Sequence, residues 1–160
     1  MFLALPTLYN FDENKYDTTG LEETIATLYE KNYDGLILIK STVEPTTTQY
    51  LYNKYKMHII HNPEFLTART ALYDFNNQKH IIIGIIAEHN YKHLYSVLFF
   101  FYKRYFPDAI ISVCSTTESE MVKICLNSYY AVKVQYFTEI YLLCDKLNID
   151  YDSVKNLMLK

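Results

Sequence analysis

Short, continuously apolar runs alternate with longer amphipathic segments along this chain of 160 residues. The clearest runs, residues 35–39 and 80–86, are rich in isoleucine, as expected of strands that are buried on both faces. Strands and helices in alternation predict an α/β fold in which a mostly parallel sheet carries helices on both faces. The predicted strands are residues 2–5, 35–39, 57–60, 80–86 and 109–113. The predicted helices are residues 17–31, a segment from about residue 45, and residues 67–75, 88–105, 117–147 and 150–159.

Local signals mark the ends of two predicted helices. Thr19, with Glu22 three residues later, has the spacing of a capping box, which predicts the start of a helix. Asn148 tolerates left-handed backbone, which predicts the end of the long helix. We therefore divide the chain into an α/β domain at residues 1–115 and the start of a helical domain at residues 116–160.

The composition excludes several classes of protein. Half of the residues are hydrophobic, which is typical of a folded domain. The formal net charge is −3 and no long basic run occurs, whereas a nucleic-acid groove needs clustered lysine and arginine. The most apolar window, residues 94–106, contains Lys103 and Arg104 and is too short to span a bilayer. No secretory signal pattern opens the sequence, so we expect a cytoplasmic protein that binds neither nucleic acid nor membrane.

The cysteine and histidine patterns predict no metal site. Cys114, Cys125 and Cys144 form no CxxC pair, and we expect buried free thiols, which fit a reducing compartment. His89 and His93 have the i, i+4 spacing of a metal-binding pair on a helix, but no HExxH pattern or third ligand accompanies them. A histidine-bearing surface face of that helix is the simpler interpretation.

Polar residues follow three of the predicted strands, and ligands of open α/β sheets bind beyond the carboxyl ends of strands. Thr7 follows the first strand, and the sequence Lys-Ser-Thr-Val at residues 40–43 follows the second. Ser41 and Thr42 offer hydroxyls that can bond a cofactor or hold a catalytic water. The alternative interpretation of residues 40–43 is a polar turn before a helix.

The third polar segment is Asn-Pro-Glu-Phe-Leu at residues 62–66. Pro63 restricts the preceding residue to extended backbone, so Glu64 is presented at the end of a strand. The backbone amides of Phe65 and Leu66 could then bind a sugar or a phosphate. A surface glutamate without a ligand is the alternative interpretation of Glu64.

One polar pair lies in the long predicted helix. Lys123 and Asn127 are one helical turn apart and share a face, and most of their neighbours are apolar. An ammonium and an amide placed in this way could orient hydroxyls and stabilise a developing alkoxide. The alternative is an exposed polar stripe on an amphipathic helix.

The order of these segments resembles the UDP-glucose/GDP-mannose 6-dehydrogenase family. Residues 4–7, Ala-Leu-Pro-Thr, are similar to the Pro-Thr strand end of that family, and residues 40–45, Lys-Ser-Thr-Val-Glu-Pro, are similar to its KSTVPPGT motif. Residues 62–75 resemble its PEFLREGxAxxDF motif most strongly, and Lys123 with Asn127 matches its K-x-x-x-N helix. The resemblance covers nearly the whole chain in the same order. It implies a partial Rossmann-like sheet followed by a long central helix.

The resemblance also implies an activity and a set of site residues. The family oxidises a nucleotide-sugar alcohol, such as UDP-glucose, to a carboxylate with two NAD molecules, passing through a cysteine-bound intermediate. By this resemblance the catalytic residues are Thr42, Glu64, Lys123 and Asn127. The NAD-binding residues are Leu5, Pro6, Thr7, Ser41, Thr42 and Val43. The residues that bind the nucleotide sugar are Glu64, Phe65, Leu66, Lys123 and Asn127.

Several family features do not occur in these 160 residues. None of the three glycines belongs to a GxGxxG turn, so we expect the chain to enter the sheet after the first strand–turn–helix unit, with its first strand at an open edge. No cysteine lies in a glycine-rich loop like that of the family's nucleophile, and covalent catalysis needs an activated thiolate. Ala68 stands where the family has its second glutamate, and Thr46 where a glycine is usual.

Two interpretations follow from the resemblance and the departures. The chain is part of a dehydrogenase that is truncated at both ends and inactive alone, with its missing segments supplied elsewhere. Alternatively, it is a non-catalytic descendant whose long helix forms a homodimer or associates with a full-length relative. The retained residues favour the first interpretation, and Ala68 with the absent cofactor turn favours the second.

Overall fold

The computed structural model describes residues 1–87 and 92–160, which form two compact units, Met1–Ile124 and Cys125–Lys160. The strands are β1 (Phe2–Leu3), β2 (Tyr9–Asn10), β3 (Lys15–Tyr16), β4 (Ile37–Ile39), β5 (Ile59–His61), β6 (His80–Ile85) and β7 (Ile110–Ser115). The helices are α1 (Thr19–Glu30), α2 (Thr47–Tyr55), α3 (Ala71–Asn76), α4 (Lys92–Tyr105), α5 (Thr116–Leu147) and α6 (Tyr151–Met158), with a 3-10 turn at Ala68–Thr70. The first unit contains everything up to the first turns of α5. The functional division at residues 115 and 116 stays a prediction.

The first unit is built on a five-stranded sheet with the order β1-β4-β5-β6-β7. β1 pairs with β4, β4 with β5, and β6 with β7 in parallel, whereas β5 pairs with β6 antiparallel. The predicted mostly parallel, Rossmann-like sheet is therefore confirmed, and so is the edge position of β1. Because β1, β4 and β5 run in the same direction, the three segments that follow them lie at one edge of the sheet.

Helices cover both faces of this sheet, as the apolar strands require. Successive side chains of a strand point to opposite faces, and Ile37 and Ile39 of β4 accordingly belong to one core cluster while Leu38 belongs to the other. The cluster on the α1 and α2 side contains Leu3, Leu21, Ile25, Ile37, Ile39, Leu51 and Ile59. The cluster on the α4 side contains Leu38, Ile60, Ile81, Ile83, Leu98, Tyr102 and Phe106. The resulting three-layer packing holds the polar edge in place.

The predicted capping box at the start of α1 is wrong. The helix begins at Thr19 after Thr18, whose side chain makes no capping bond, and Asp17 Oδ1 instead accepts the Thr19 amide at 3.0 Å. A reciprocal capping box occurs at α5, where Glu118 Oε2 accepts the Ser115 amide at 2.8 Å and Ser115 Oγ accepts the Glu118 amide at 3.2 Å. The sequence prediction ended β7 at residue 113 and so did not consider Ser115 as a cap.

Other expectations have mixed outcomes. Asn148 has a φ of 55° after α5, which confirms the predicted left-handed residue. The β2–β3 hairpin was not predicted. The three cysteines are free, but only Cys144 is buried, whereas Cys114 is half-buried and Cys125 exposed, so burial was wrong for two of them. His89 lies outside the described residues.

In the described ranges, no helix combines the length and apolarity that crossing a membrane requires. Nor do residues 1–87 and 92–160 bring three or more histidine, cysteine, aspartate or glutamate side chains together in a way that could hold a metal ion.

Candidate functional site

The segments that follow β1 and β4 are joined by side-chain hydrogen bonds. Ser41 Oγ accepts the Leu5 amide and donates to the Leu5 carbonyl, both at 2.8 Å. Thr7 Oγ1 donates to the Thr42 carbonyl at 2.6 Å. Ser41 is buried, and its one hydroxyl proton is already used within the protein. We call this edge, residues 5–7 and 41–44, the rim.

The predicted NAD residues all lie on the rim, with different exposure. Pro6 is exposed, and Thr7 and Thr42 are half-buried. Val43 is fully buried in the core cluster on the α1 and α2 side, so its side chain is not at the surface. Contact between these residues and NAD stays a prediction.

Glu64 and Lys123 form an ion pair beyond the end of β5. Lys123 Nζ donates to Glu64 Oε1 at 2.9 Å and to the Glu64 carbonyl at 2.7 Å. The Lys123 side chain is only 6% exposed, whereas that of Glu64 is 35% exposed, so the carboxylate is the part of the pair that a ligand can reach. The first two turns of α5 thus bring together two predicted site residues that are 59 positions apart.

The residues after Glu64 also contact this pair. Glu64 Oε2 accepts the Leu66 amide at 2.6 Å. Lys123 Nζ lies 5.6 Å from the centroid of the Phe65 ring, within the range of a cation–π interaction. The Leu66 amide, which the sequence suggested as a donor to a ligand, is therefore bonded to Glu64 in this structure.

Lys40 approaches the same pair from the end of β4. Its Nζ donates to Asn62 Oδ1 at 3.1 Å and lies 3.4 Å from the Pro63 carbonyl. Burial lowers the pKa of Lys40 to about 8; the charge of Glu64 opposes that shift, and the charge of Lys123 adds to it. Lys123 bonds the Glu64 carboxylate directly, whereas Lys40 interacts with it only through its charge, so the three groups carry a net positive charge when both lysines are protonated.

Asn62 is fully buried, its backbone amide donates to the Ile39 carbonyl at 2.8 Å, and its side chain makes three further hydrogen bonds. Its Nδ2 donates to the Ile82 carbonyl of β6 at 2.7 Å, and its Oδ1 accepts from Lys40 and from the Tyr102 hydroxyl of α4. Burial raises the pKa of Tyr102 to about 12, so this hydroxyl stays protonated. Asn62 therefore fixes the end of β5 to β4, β6 and α4 at once.

His61 is a fully buried neighbour that sequence reasoning did not single out. Its Nδ1 lies 2.8 Å from Ser119 Oγ of α5. Burial is the largest cause that lowers the pKa of His61 to about 4, and the charges of Lys40 and Lys123 lower it further. The imidazole is therefore neutral at physiological pH and packs between the sheet and α5.

Glu120 on α5 caps the start of α2. Its two carboxylate oxygens accept the Thr46 and Thr48 amides, each at 2.7 Å, and the residue is fully buried. Thr46 has a φ of 84°, a left-handed conformation that favours glycine and is strained for a β-branched residue. That position is the one where the sequence departs from the usual glycine.

Asn127 lies four residues after Lys123 on α5, is exposed, and belongs to the second compact unit. The structure thus joins Glu64 with Lys123 and Thr42 with Thr7. The shared catalytic role of Thr42, Glu64, Lys123 and Asn127 stays a prediction.

Sequence comparison places this architecture among known proteins. Residues 1–102 match the model of the UDP-glucose/GDP-mannose dehydrogenase family, NAD binding domain, and residues 117–160 match that of the family's central domain. The chain belongs to the UDP-glucose/GDP-mannose dehydrogenase family. Its matched regions include the rim, Glu64 and Lys123.

Relatives support this family assignment. A UDP-glucose 6-dehydrogenase of Streptococcus pneumoniae is 34% identical over 144 residues, covering 86% of this chain and 36% of the relative. The structure of a UDP-glucose dehydrogenase from Pyrobaculum islandicum matches 98% of this chain and 38% of that one, with a TM-score of 0.83 and 28% identity. A ternary complex of GDP-mannose dehydrogenase from Pseudomonas aeruginosa has the same fold, with a TM-score of 0.82 and 22% identity over 99% of this chain and 38% of that one. The chain therefore spans little more than a third of these family members.

Sequence reasoning placed Lys40 and Asn62 in the polar segments but gave them no role, and it assigned no site role to His61, Ser119 or Glu120. The available signal was position: Lys40 and Asn62 each directly follow a strand whose carboxyl end lies at the ligand-binding edge. The burial of Glu120 and His61 depends on how α5 crosses that edge, which no local pattern reports.

Proposed function

We propose that this chain forms the part of a nucleotide-sugar dehydrogenase that binds the sugar, and takes part in the NAD-dependent oxidation of UDP-glucose to UDP-glucuronate. The observation that carries the proposal is the ion pair of Glu64 and Lys123 beyond the end of β5. A mostly buried ammonium beside a reachable carboxylate can stabilise a developing alkoxide and exchange a proton with a sugar hydroxyl. The role of Asn127 in binding the sugar stays a prediction from its match to the K-x-x-x-N pattern.

The proposal gives NAD a partial site on this chain. NAD supplies hydride acceptance when it is bound. Pro6, Thr7 and Thr42 form the more accessible part of the rim and are the residues that would hold the cofactor. The pyrophosphate needs closely approaching backbone amides, usually from a glycine-rich turn, and these 160 residues contain no such turn.

The proposal also holds that the 160 residues do not complete the reaction alone. Ala68 carries a methyl where a carboxylate is usual in the family, and a methyl can neither take nor give a proton. None of the three cysteines lies in a glycine-rich loop, and burial raises the pKa of Cys114, which disfavours its reactive form. Catalysis then requires further protein segments. We propose that the protein is located in the cytoplasm.

Ligand binding to the purified chain tests the proposal. Millimolar UDP-glucose should raise the melting temperature, because a ligand present at 100 times its Kd stabilises the folded state by about 2.7 kcal/mol. We expect no NADH to form when NAD is added. Lys123→Met should abolish the thermal shift, and Glu64→Gln should weaken it, since both remove part of the pair.

The matched control is Lys146→Met, which removes an exposed lysine near the end of the same helix and should leave the shift unchanged. Absence of any UDP-glucose effect on the wild-type chain would contradict sugar binding. Lys123-dependent NADH production by the isolated chain would contradict its inactivity.

A second candidate function is non-catalytic self-association through the second unit. Many apolar side chains of α5 are about half-exposed or more, among them Tyr129, Tyr130, Val132, Val134, Tyr141, Leu142 and Leu143. Within this unit α5 and α6 also border a mostly apolar groove of about 590 Å³, whose lining includes Tyr130, Val134, Phe137, Tyr141, Tyr151 and Leu159 together with Lys133, Thr138 and Lys155. An exposed apolar surface of this extent is typical of an interface between proteins. The proposed occupant is a second copy of this chain.

Light scattering coupled to size-exclusion chromatography measures this association. We expect a dimer for the wild-type chain and a monomer for Tyr130→Glu, because a charge in the apolar groove must be desolvated on association. Ser128→Glu adds the same charge at a nearby exposed position outside the groove and should remain dimeric. A monomeric wild-type chain would contradict this candidate.

A further inference from the structure

Lys40 occupies a place in the site that the proposed function does not yet use. It is the first residue after β4, and its ammonium lies against the turn that follows β5 rather than in solvent. A lysine usually extends into water, and holding this one inside lowers its pKa to about 8 through burial. Keeping the Lys40 ammonium in this position, despite the free-energy cost of removing it from water, indicates a role beyond packing.

The hydrogen bonds of the Lys40 ammonium go to the two residues that precede Glu64. Its Nζ reaches Asn62 Oδ1 at 3.1 Å and the Pro63 carbonyl at 3.4 Å. The next carbonyl along the chain, that of Glu64, accepts from Lys123 at 2.7 Å. Two ammonium groups therefore hold three consecutive residues: Lys40, which follows β4, contacts the first two, and Lys123 of α5 contacts the third.

The remaining hydrogen bonds of Asn62 fix only the first residue of the turn that follows β5. Asn62 is anchored to Ile82 and Tyr102, so the β5 end cannot follow a displaced Lys40. The Pro63 carbonyl, in contrast, accepts from the Lys40 ammonium. Removing Lys40 would leave Asn62 anchored but would release the Pro63 carbonyl, the contact that immediately precedes Glu64.

We infer that Lys40 is a positioning residue that holds the Asn62–Pro63 turn so that Glu64 meets Lys123 in the geometry needed to bind a sugar nucleotide. The inference deepens the proposed function and rests on it as far as the sugar nucleotide is concerned. The positioning of the Glu64 side chain exists without a ligand, so it can be measured independently of sugar-nucleotide binding.

The backbone amide of Leu66 reports on this geometry without any ligand, because it donates to Glu64 Oε2 at 2.6 Å. In Lys40→Met, hydrogen exchange at the Leu66 amide should be about tenfold faster at a pH below the Lys40 pKa, since the Glu64 carboxylate is no longer held in place. Lys40→Arg keeps a cation with several donors and should retain slow exchange. Lys54→Met, which removes an exposed lysine on α2, should leave the Leu66 amide unchanged.

A pH titration provides a second measurement, which distinguishes the charge of Lys40 from its contribution to packing. The nitrogen chemical shift of the Leu66 amide should change with a midpoint near pH 8 in the wild-type chain, where Lys40 loses its proton. The groups that face Lys40 are Glu64, Lys123, His61 and Tyr102, and the last two titrate near 4 and 12. The transition should be absent from Lys40→Met and Lys40→Arg.

UDP-glucose affinity completes the test, with an expected loss of about tenfold in Lys40→Met and little loss in Lys40→Arg. Wild-type exchange and a preserved pH transition at Leu66 in Lys40→Met would overturn the positioning role. If the Leu66 readings change as expected but the wild-type chain binds no UDP-glucose, the positioning of Glu64 stands and the proposed function fails. Lys40→Met replaces a buried charge with an apolar side chain of similar length, so the variant should fold.

Discussion

Replacing Glu120 by alanine should lower the free energy of unfolding by about 3 kcal/mol, because two backbone amides, that of buried Thr48 and that of partly covered Thr46, lose their acceptor together. The carboxylate accepts the Thr46 and Thr48 amides at 2.7 Å each, and α2 has no side-chain cap of its own. The positive end of the α2 dipole would also lose its facing negative charge. Urea denaturation followed by circular dichroism measures the effect.

Glu118→Ala is the matched control on the same helix. Glu118 also accepts a backbone amide, that of Ser115, but at the surface, where water can replace it. We expect a loss of about 1 kcal/mol, as for other exposed helix caps. Equal losses in the two variants would contradict the structural role assigned to Glu120.

Replacing Gly84 by alanine should cost about 3 kcal/mol, since the added methyl has no room between β6 and α5. A Cβ built on Gly84 would lie 2.6 Å from Ser119 Cβ and 3.0 Å from Thr116 Cα. One of these atoms is backbone, so relief requires the start of α5 to move away from the sheet. The same shift would displace Lys123 from Glu64, and the variant should bind UDP-glucose more weakly than its remaining stability alone explains.

Gly20→Ala is the corresponding control, because a Cβ at Gly20 meets no atom within 4 Å. Gly20 lies in α1, where alanine is favoured over glycine by about 1 kcal/mol, so this variant should be slightly more stable than the wild type. Denaturant midpoints of the two variants should therefore move in opposite directions. A Gly84→Ala variant as stable as the wild type would contradict the close packing of α5.

Much of the fold could be predicted because its central strands carry their own signal. The isoleucine-rich runs at β4 and β6 are buried on both faces, and this pattern is visible in the sequence. The β2–β3 hairpin was missed because each strand has two residues and no apolar period. Its position depends on a distant contact, the Tyr16 amide donating to Glu44 Oε1 at 3.1 Å.

The site was predicted in outline, from motif resemblance and strand ends rather than from local patterns. Glu64 and Lys123 were expected to act together, and the structure pairs them. The buried groups around them were not foreseen, because Lys40 and His61 look like ordinary polar residues until α4 and α5 cover them. Tertiary burial, which gives Lys40 its lowered pKa, cannot be deduced from the four residues around it.

The bonds between the segments after β1 and β4 have a mechanical consequence. Leu5 is fastened to Ser41, Thr7 to Thr42, and the hairpin at Tyr16 to Glu44, so the two loops cannot flex independently. A ligand that displaces one of these loops must displace the other as well, and a ligand that restricts the motion of one restricts the motion of both. Loops that are joined in this way are preorganised. The entropy cost of ordering them is incurred on folding, so it does not weaken the binding of a ligand.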